Sequence, residues 1–189
     1  RVTGKDAAVF VASGTMGNLT SLLAHCERGR SAIVGDESHV FHYEAGGASA
    51  LGGLVLHTVP TREDGTIPLK AIEAAIRPEF LHYAPPGVIC LENTHNRCGG
   101  AVISTDYVAA VAEIARRHGL PLHLDGARLF NASVATGQPP TAWTQHVTSV
   151  QVCLSKGLAA PMGSLVAGSQ AFIRKVRRAR KLLGGGMRQ

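Results

Sequence analysis

Residues 104–128 read STDYVAAVAEIARRHGLPLHLDGAR, and the order of patterns in this stretch decides the fold. Ser104 stands where a helix cap is needed, and Val108, Val111, Ala112 and Ala115 recur at spacings that make one apolar stripe over 105–118. Gly119 stops the helix. An apolar run over 120–125 follows at once and ends on Asp125, so an amphipathic helix feeds directly into a buried strand. The same alternation extends outward on both sides. Strands are expected over 7–12, 32–35, 54–59, 88–92, 120–125, 149–154 and 164–168, and further helices over 68–77 and 171–183. Strands separated by helical patterns are the mark of βαβ units, which need parallel pairing. The expected fold class is therefore α/β: a mostly parallel seven-stranded sheet flanked by helices in three layers.

Composition is consistent with one folded unit. The 189 residues are 45% hydrophobic and 17% charged, which excludes a disordered chain. The net charge of +6 is local: Arg174, Lys175, Arg177, Arg178, Arg180, Lys181 and Arg188 crowd residues 170–189, where there is no acid, and the rest is close to neutral. A cluster of that kind reads as a solvated helix face, and no nucleic-acid partner is expected. Four cysteines, Cys26, Cys90, Cys98 and Cys153, lack zinc-type spacing, so neither a metal site nor a disulfide framework is expected. No apolar run is long enough to span a membrane and the first residues contain no signal core, so a cytoplasmic protein is expected. The chain has no initial Met and stops after a glycine-rich tract, which suggests a fragment.

In open α/β sheets ligands gather at the carboxyl ends of the strands. Those positions here hold Ser13-Gly14-Thr15, His39, Asn93-Thr94-His95-Asn96, Asp125-Gly126-Ala127-Arg128 and Ser155-Lys156-Gly157. The run from Gly14 to Asn18 follows a strand and opens a helix, so it reads either as a phosphate-binding turn or as a plain cap. Asp125 closes an apolar strand and reads as a semi-buried acid that needs a cationic or N–H partner, or else as a helix cap or an ion pair with Arg128. Lys156 interrupts an apolar context that would favour the free amine, although a lone loop lysine also suits a solvated surface. Pyridoxal 5'-phosphate (PLP) asks for a phosphate cup, a Schiff-base lysine, an acid at the ring nitrogen and a stacked ring, and these positions can supply all four.

Five segments together resemble the low-specificity L-threonine aldolases. They are His39 with Glu44-Ala45-Gly46-Gly47, Leu91-Glu92-Asn93-Thr94-His95-Asn96, His123-Leu124-Asp125-Gly126-Ala127-Arg128, Cys153-Leu154-Ser155-Lys156-Gly157 and Gly184-Gly185-Gly186-Met187-Arg188-Gln189. The resemblance covers essentially the whole chain. It implies the large domain of a PLP-dependent transferase-like fold over 1–189, without the family's N-terminal segment and small C-terminal domain. It also implies reversible cleavage of L-threonine or L-allo-threonine to glycine and acetaldehyde, in a homodimer or homotetramer.

Residue by residue, the resemblance implies that Gly14 and Thr15 hold the cofactor phosphate, His39 stacks on the ring and Asp125 bonds the ring nitrogen. Lys156 would form the Schiff base, Arg128 would bind the amino-acid carboxylate and His95 would lie near the substrate hydroxyl. Arg188 would reach the phosphate of a neighbouring subunit. The proton acceptor is left open between His95, His39 and a water. Where the family often has a second glycine after the lysine, this chain has Ala159, a strained choice if positive φ is needed. His123 reads as a structural neighbour of Asp125, His42 as a helix-face residue, and His25, His57, His82, His118 and His146 as surface or helix-end residues. Other PLP enzymes of this fold, an inactive remnant and a polyanion-binding protein are the alternative readings.

Overall fold

The computed structural model describes residues 2–187. Seven strands, β1 (Ala7–Val11), β2 (Ser31–Gly35), β3 (Val55–Val59), β4 (Pro86–Glu92), β5 (Leu122–Asp125), β6 (Ser149–Cys153) and β7 (Ser164–Gly168), form one sheet in the order β1-β7-β6-β5-β4-β2-β3. Its helices are α1 (Gly14–His25), α2 (His39–His42), α3 (Gly47–Ala50), α4 (Leu69–Ala75), α5 (Thr105–Arg117), α6 (Leu129–Thr136), α7 (Thr141–Thr144) and α8 (Gln170–Leu182). From β3 to β6 every pairing is parallel, whereas β7 runs antiparallel to both β6 and β1. Six strands therefore share one direction, and the expected α/β sheet is present. The sequence patterns matched each strand to within a residue or two, and Ser104 does cap α5 by accepting from the Tyr107 N–H at 3.1 Å.

Alternation along the strands builds the three layers. Ile33, Ile89 and Leu91 point to one face, where Val108, Val111 and Ile114 of α5 and Ile72 of α4 cover them. Their neighbours Ala32, Val34, Val88 and Cys90 point to the other face and meet Leu22 and Cys26 at the end of α1. At the β1 edge, Val9, Val11 and Val166 are closed by Phe172, Ile173 and Val176 of α8. Arg174, Lys175, Arg177, Arg178 and Lys181 lie exposed on the opposite side of that helix, as expected for an amphipathic surface helix, whereas Arg180 turns in to donate to the Phe10 carbonyl at 2.6 Å.

Glycines let α1 approach the sheet closely. A Cβ on Gly17 would come within 2.6 Å of Gln151 Cγ, and one on Gly14 within 2.9 Å of Cys153 Sγ, so side chains there would push α1 off β6. Ala159 has φ of 55°, the left-handed conformation that the sequence comparison with a family glycine anticipates. Relief of that strain exceeds the extra chain entropy of glycine, so Ala159→Gly is expected to stabilise the chain by about 0.5–1 kcal/mol. A rise in the urea midpoint at unchanged slope would register it, and an unchanged or lower midpoint would count against strain at this position.

Candidate functional site

The carboxyl ends of the parallel strands bring the site together. Glu92 and Asp125 are register partners at the ends of β4 and β5, and α1 enters from the neighbouring face. Asp125 is only 3% exposed. Its Oδ1 accepts from the Ala127 N–H at 3.0 Å and from Gln151 Nε2 at 2.9 Å, while Oδ2 accepts from Asn18 Nδ2 at 2.7 Å. All three donors are neutral. Among the described residues no cation pairs with Asp125, so the ion pair with Arg128 is not formed; Arg128 instead heads α6.

A second acid lies alongside. Glu44 is buried and its Oε1 accepts from the same Asn18 nitrogen at 2.7 Å and lies 3.0 Å from His39 Nδ1. The Glu44 bond holds the His39 imidazole above its usual pKa, against the opposing effect of burial, and burial holds the Glu44 carboxyl above its own. His39, Glu44 and Asp125 offer atoms all within 4.8 Å of one another, which is ligand spacing for an ion. The Asn18 amide nitrogen already bridges the two carboxylates, however, so that space is taken by a neutral donor. Glu92 accepts from the backbone N–H groups of His39 at 2.7 Å and Asn96 at 2.9 Å, tying α2 to the loop after β4. Burial, with Asp125 adding like charge, pushes its carboxyl up to about 7.

The other expected residues stand around this acid. Lys156 sits in the turn after β6, partly exposed, and its charge reaches His39. That turn rests on α6, since a Cβ on Gly157 would meet Asn131 Oδ1 at 2.3 Å. His95 is buried with Nδ1 unpartnered; burial lowers its pKa, and the nearby Asp125 charge partly restores it. Gly14 and Thr15 begin α1, where their amides have no intrahelical acceptor, and Ser13 caps the helix by taking the Met16 N–H at 3.1 Å. The turn is therefore a cap and leaves two free amides as well. Gly14 also backs onto the Gln151 amide that holds Asp125. Arg188 lies outside the described residues.

Reading the sequence missed Asn18, Gln151 and the part played by Glu44 and Glu92. Gln151 is a polar residue amid the apolar SVQVC of β6, which signals a buried polar partner, whereas Asn18 sits among glycine and hydroxyl residues of α1 and carries no such signal. Glu44 carried no such signal, because a glutamate beside glycines reads as an exposed loop residue.

A family model described as beta-eliminating lyase matches residues 1–189. Over 192 residues the chain is 55% identical to the low-specificity L-threonine aldolase 1 of Arabidopsis thaliana, taking in 100% of this chain and 54% of that protein. It is 45% identical over 188 residues to the low specificity L-threonine aldolase of Escherichia coli K12, with 100% and 56% covered. A solved structure of Leishmania major threonine aldolase shares the fold with a TM-score of 0.83 at 23% identity, over 96% of this chain and 53% of that one. The chain thus spans about half the length of the curated relatives it matches.

Proposed function

The chain belongs to the beta-eliminating lyase family, and from that premise we propose that residues 1–189 are the cofactor-binding large domain of a PLP-dependent lyase cleaving L-threonine or L-allo-threonine to glycine and acetaldehyde. The observation that carries this reading is Asp125: a buried acid oriented by three neutral N–H donors, with no cation in hydrogen-bond contact with it among the described residues. A protonated pyridine nitrogen is the cationic donor that such an acid accommodates, and Oδ2, with one donor, has room for it. When bound, PLP supplies the electron sink that makes a bond at the substrate Cα breakable.

The residues of this chain then divide the remaining work. Lys156 would tether the cofactor, Gly14 and Thr15 would present amides to its phosphate at the α1 N-terminus, and His39, steered by Glu44, would stack on its ring. Arg128 offers a planar fork to the substrate carboxylate. His95 is the better proton acceptor of the two site histidines: burial keeps its imidazole neutral, whereas the Glu44 bond favours the charged form of His39. The names of the relatives support threonine as substrate. The proposal extends to a homo-oligomer in the cytoplasm, in keeping with four free cysteines. Among the described residues no helix is long and apolar enough to cross a membrane.

Incubation of the chain with PLP and L-threonine is expected to release glycine and acetaldehyde in equal amounts without an added keto acid. Product formation only in the presence of a keto-acid acceptor would replace this reading with an aminotransferase.

A further inference from the structure

Behind Asp125, beyond Asn18, runs a line of polar groups with no place in the chemistry above. His25 Nε2 lies 2.7 Å from Ser149 Oγ, which lies 2.8 Å from His123 Nδ1. On the other side of the same ring, His123 Nε2 lies 3.2 Å from Asn18 Oδ1. Asn18, Ser149 and His123 are at most 1% exposed, so each must find its partners inside the protein.

The direction of every bond follows from one end. The Asn18 nitrogen faces two carboxylates, Glu44 and Asp125, so the amide cannot be turned round without setting its oxygen against theirs. The Asn18 oxygen therefore accepts, and His123 Nε2 must carry the hydrogen. Burial pushes His123 down to about 3, so its ring is neutral, Nδ1 is bare, and Ser149 must donate to it. The Ser149 oxygen is left to accept from His25 Nε2–H; burial and the Lys175 charge push His25 down to about 4, and its ring is stacked on Phe172 at 4.4 Å.

We propose that His25, Ser149, His123 and Asn18 form a one-way hydrogen-bond relay, every member donating toward Asp125, in which His123 is the positioning residue that fixes the Asn18 amide on the two acids. The relay runs from the C-terminal end of α1, along the face of β6 and β5 that α1 covers, to the acid at the end of β5. Its effect on PLP rests on the reading of Asp125 as the ring-nitrogen partner, whereas its tautomers belong to the chain alone.

Two measurements separate these. Nitrogen-15 NMR of the PLP-free chain at neutral pH is expected to show His25 and His123 as Nε2–H tautomers, with both signals shifted by Ser149→Ala. A His123 ring protonated at Nδ1, or signals indifferent to Ser149→Ala, would overturn the relay. In PLP titrations, His123→Leu is expected to weaken binding about tenfold and to move the visible absorption of the bound cofactor. His123→Gln, whose amide nitrogen can take the place of Nε2, is expected to restore both. PLP bound equally well and with the same spectrum by His123→Leu would overturn the relay and leave the cofactor reading standing. No PLP bound by the parent chain would remove the cofactor reading, and the tautomers would still decide the relay. Should His123→Leu fail to fold, Ser149→Ala and His123→Gln carry the same comparison.

Discussion

Lys156→Ala is expected to lose the visible absorption of bound PLP entirely and to cleave no threonine above background. The reason is chemical: a Schiff base to the cofactor aldehyde needs an amine at this place, and alanine offers none. The turn itself should survive, because it is held by backbone bonds, Ala159 N–H to the Lys156 carbonyl at 2.9 Å and Ala160 N–H to the Leu154 carbonyl at 3.0 Å. The comparison variant is Asp125→Ala, which keeps the lysine and removes the acid. It is expected to retain PLP absorption with turnover lowered by about 10²–10³-fold, the usual cost of removing one preorganised electrostatic partner. Spectra and glycine release, measured side by side on the folded variants, separate tether from electrostatic partner. A visible band that persists in Lys156→Ala would mean that the cofactor is tethered elsewhere, and the site assignment would fall.

Acid is expected to unfold the chain largely through two histidines. The folded pKa values of His123, about 3, and His25, about 4, lie below the ordinary value of 6.5, so the unfolded chain binds protons first as the pH falls. Their contribution is complete above pH 6.5 and is lost on the way down to pH 3. For His123 alone the loss is on the order of 4 kcal/mol, a large part of the stability of a single domain. Glu92 acts with the opposite sign: its folded pKa of about 7 lies above the ordinary 4.5, so its contribution is complete below pH 4.5 and is lost as the pH rises through 7. The two effects oppose each other between pH 4.5 and 6.5. Below 4.5 Glu92 no longer opposes the histidines and the stability curve should drop steeply. Urea midpoints at pH 7.5, 6, 5 and 4 would trace it, and His123→Gln should flatten the acid limb. If the variant and the parent lose stability in parallel, the buried histidine is not the cause.

The fold was legible because its central strands are buried on both faces and its long helix is buried on one, and each condition leaves a period in the sequence. The stripe of α5 and the apolar run ending at Asp125 needed nothing beyond their own residues. The direction of β7 was not legible, since SLVAG has the same pattern whichever way it pairs. Of the site, the residues at strand ends could be found by position, and their roles came from resemblance to a family. The relay could not be read, because it joins residues 25, 149, 123 and 18 across the sheet. His25 is a helix-end residue as expected, yet its ring turns inward onto Ser149 and Phe172. His123 is indeed a structural neighbour of Asp125, but its reach to it goes through Asn18.

The pairing of Ala7 with Gly168 places β1 beside a strand made more than 150 residues later. During synthesis β1 therefore leaves the ribosome with no partner, and its hydrogen-bonding edge stays open until β7 has emerged. Asn18 lies on the helix that follows β1, so the closing of β1 onto β7 completes the packing of the helix that carries the donor shared by Glu44 and Asp125. A nascent chain halted before Ser164 would leave β1 unpaired and α1 without α8 beside it, so the edge of the sheet that carries α1 is the last part of the fold to close.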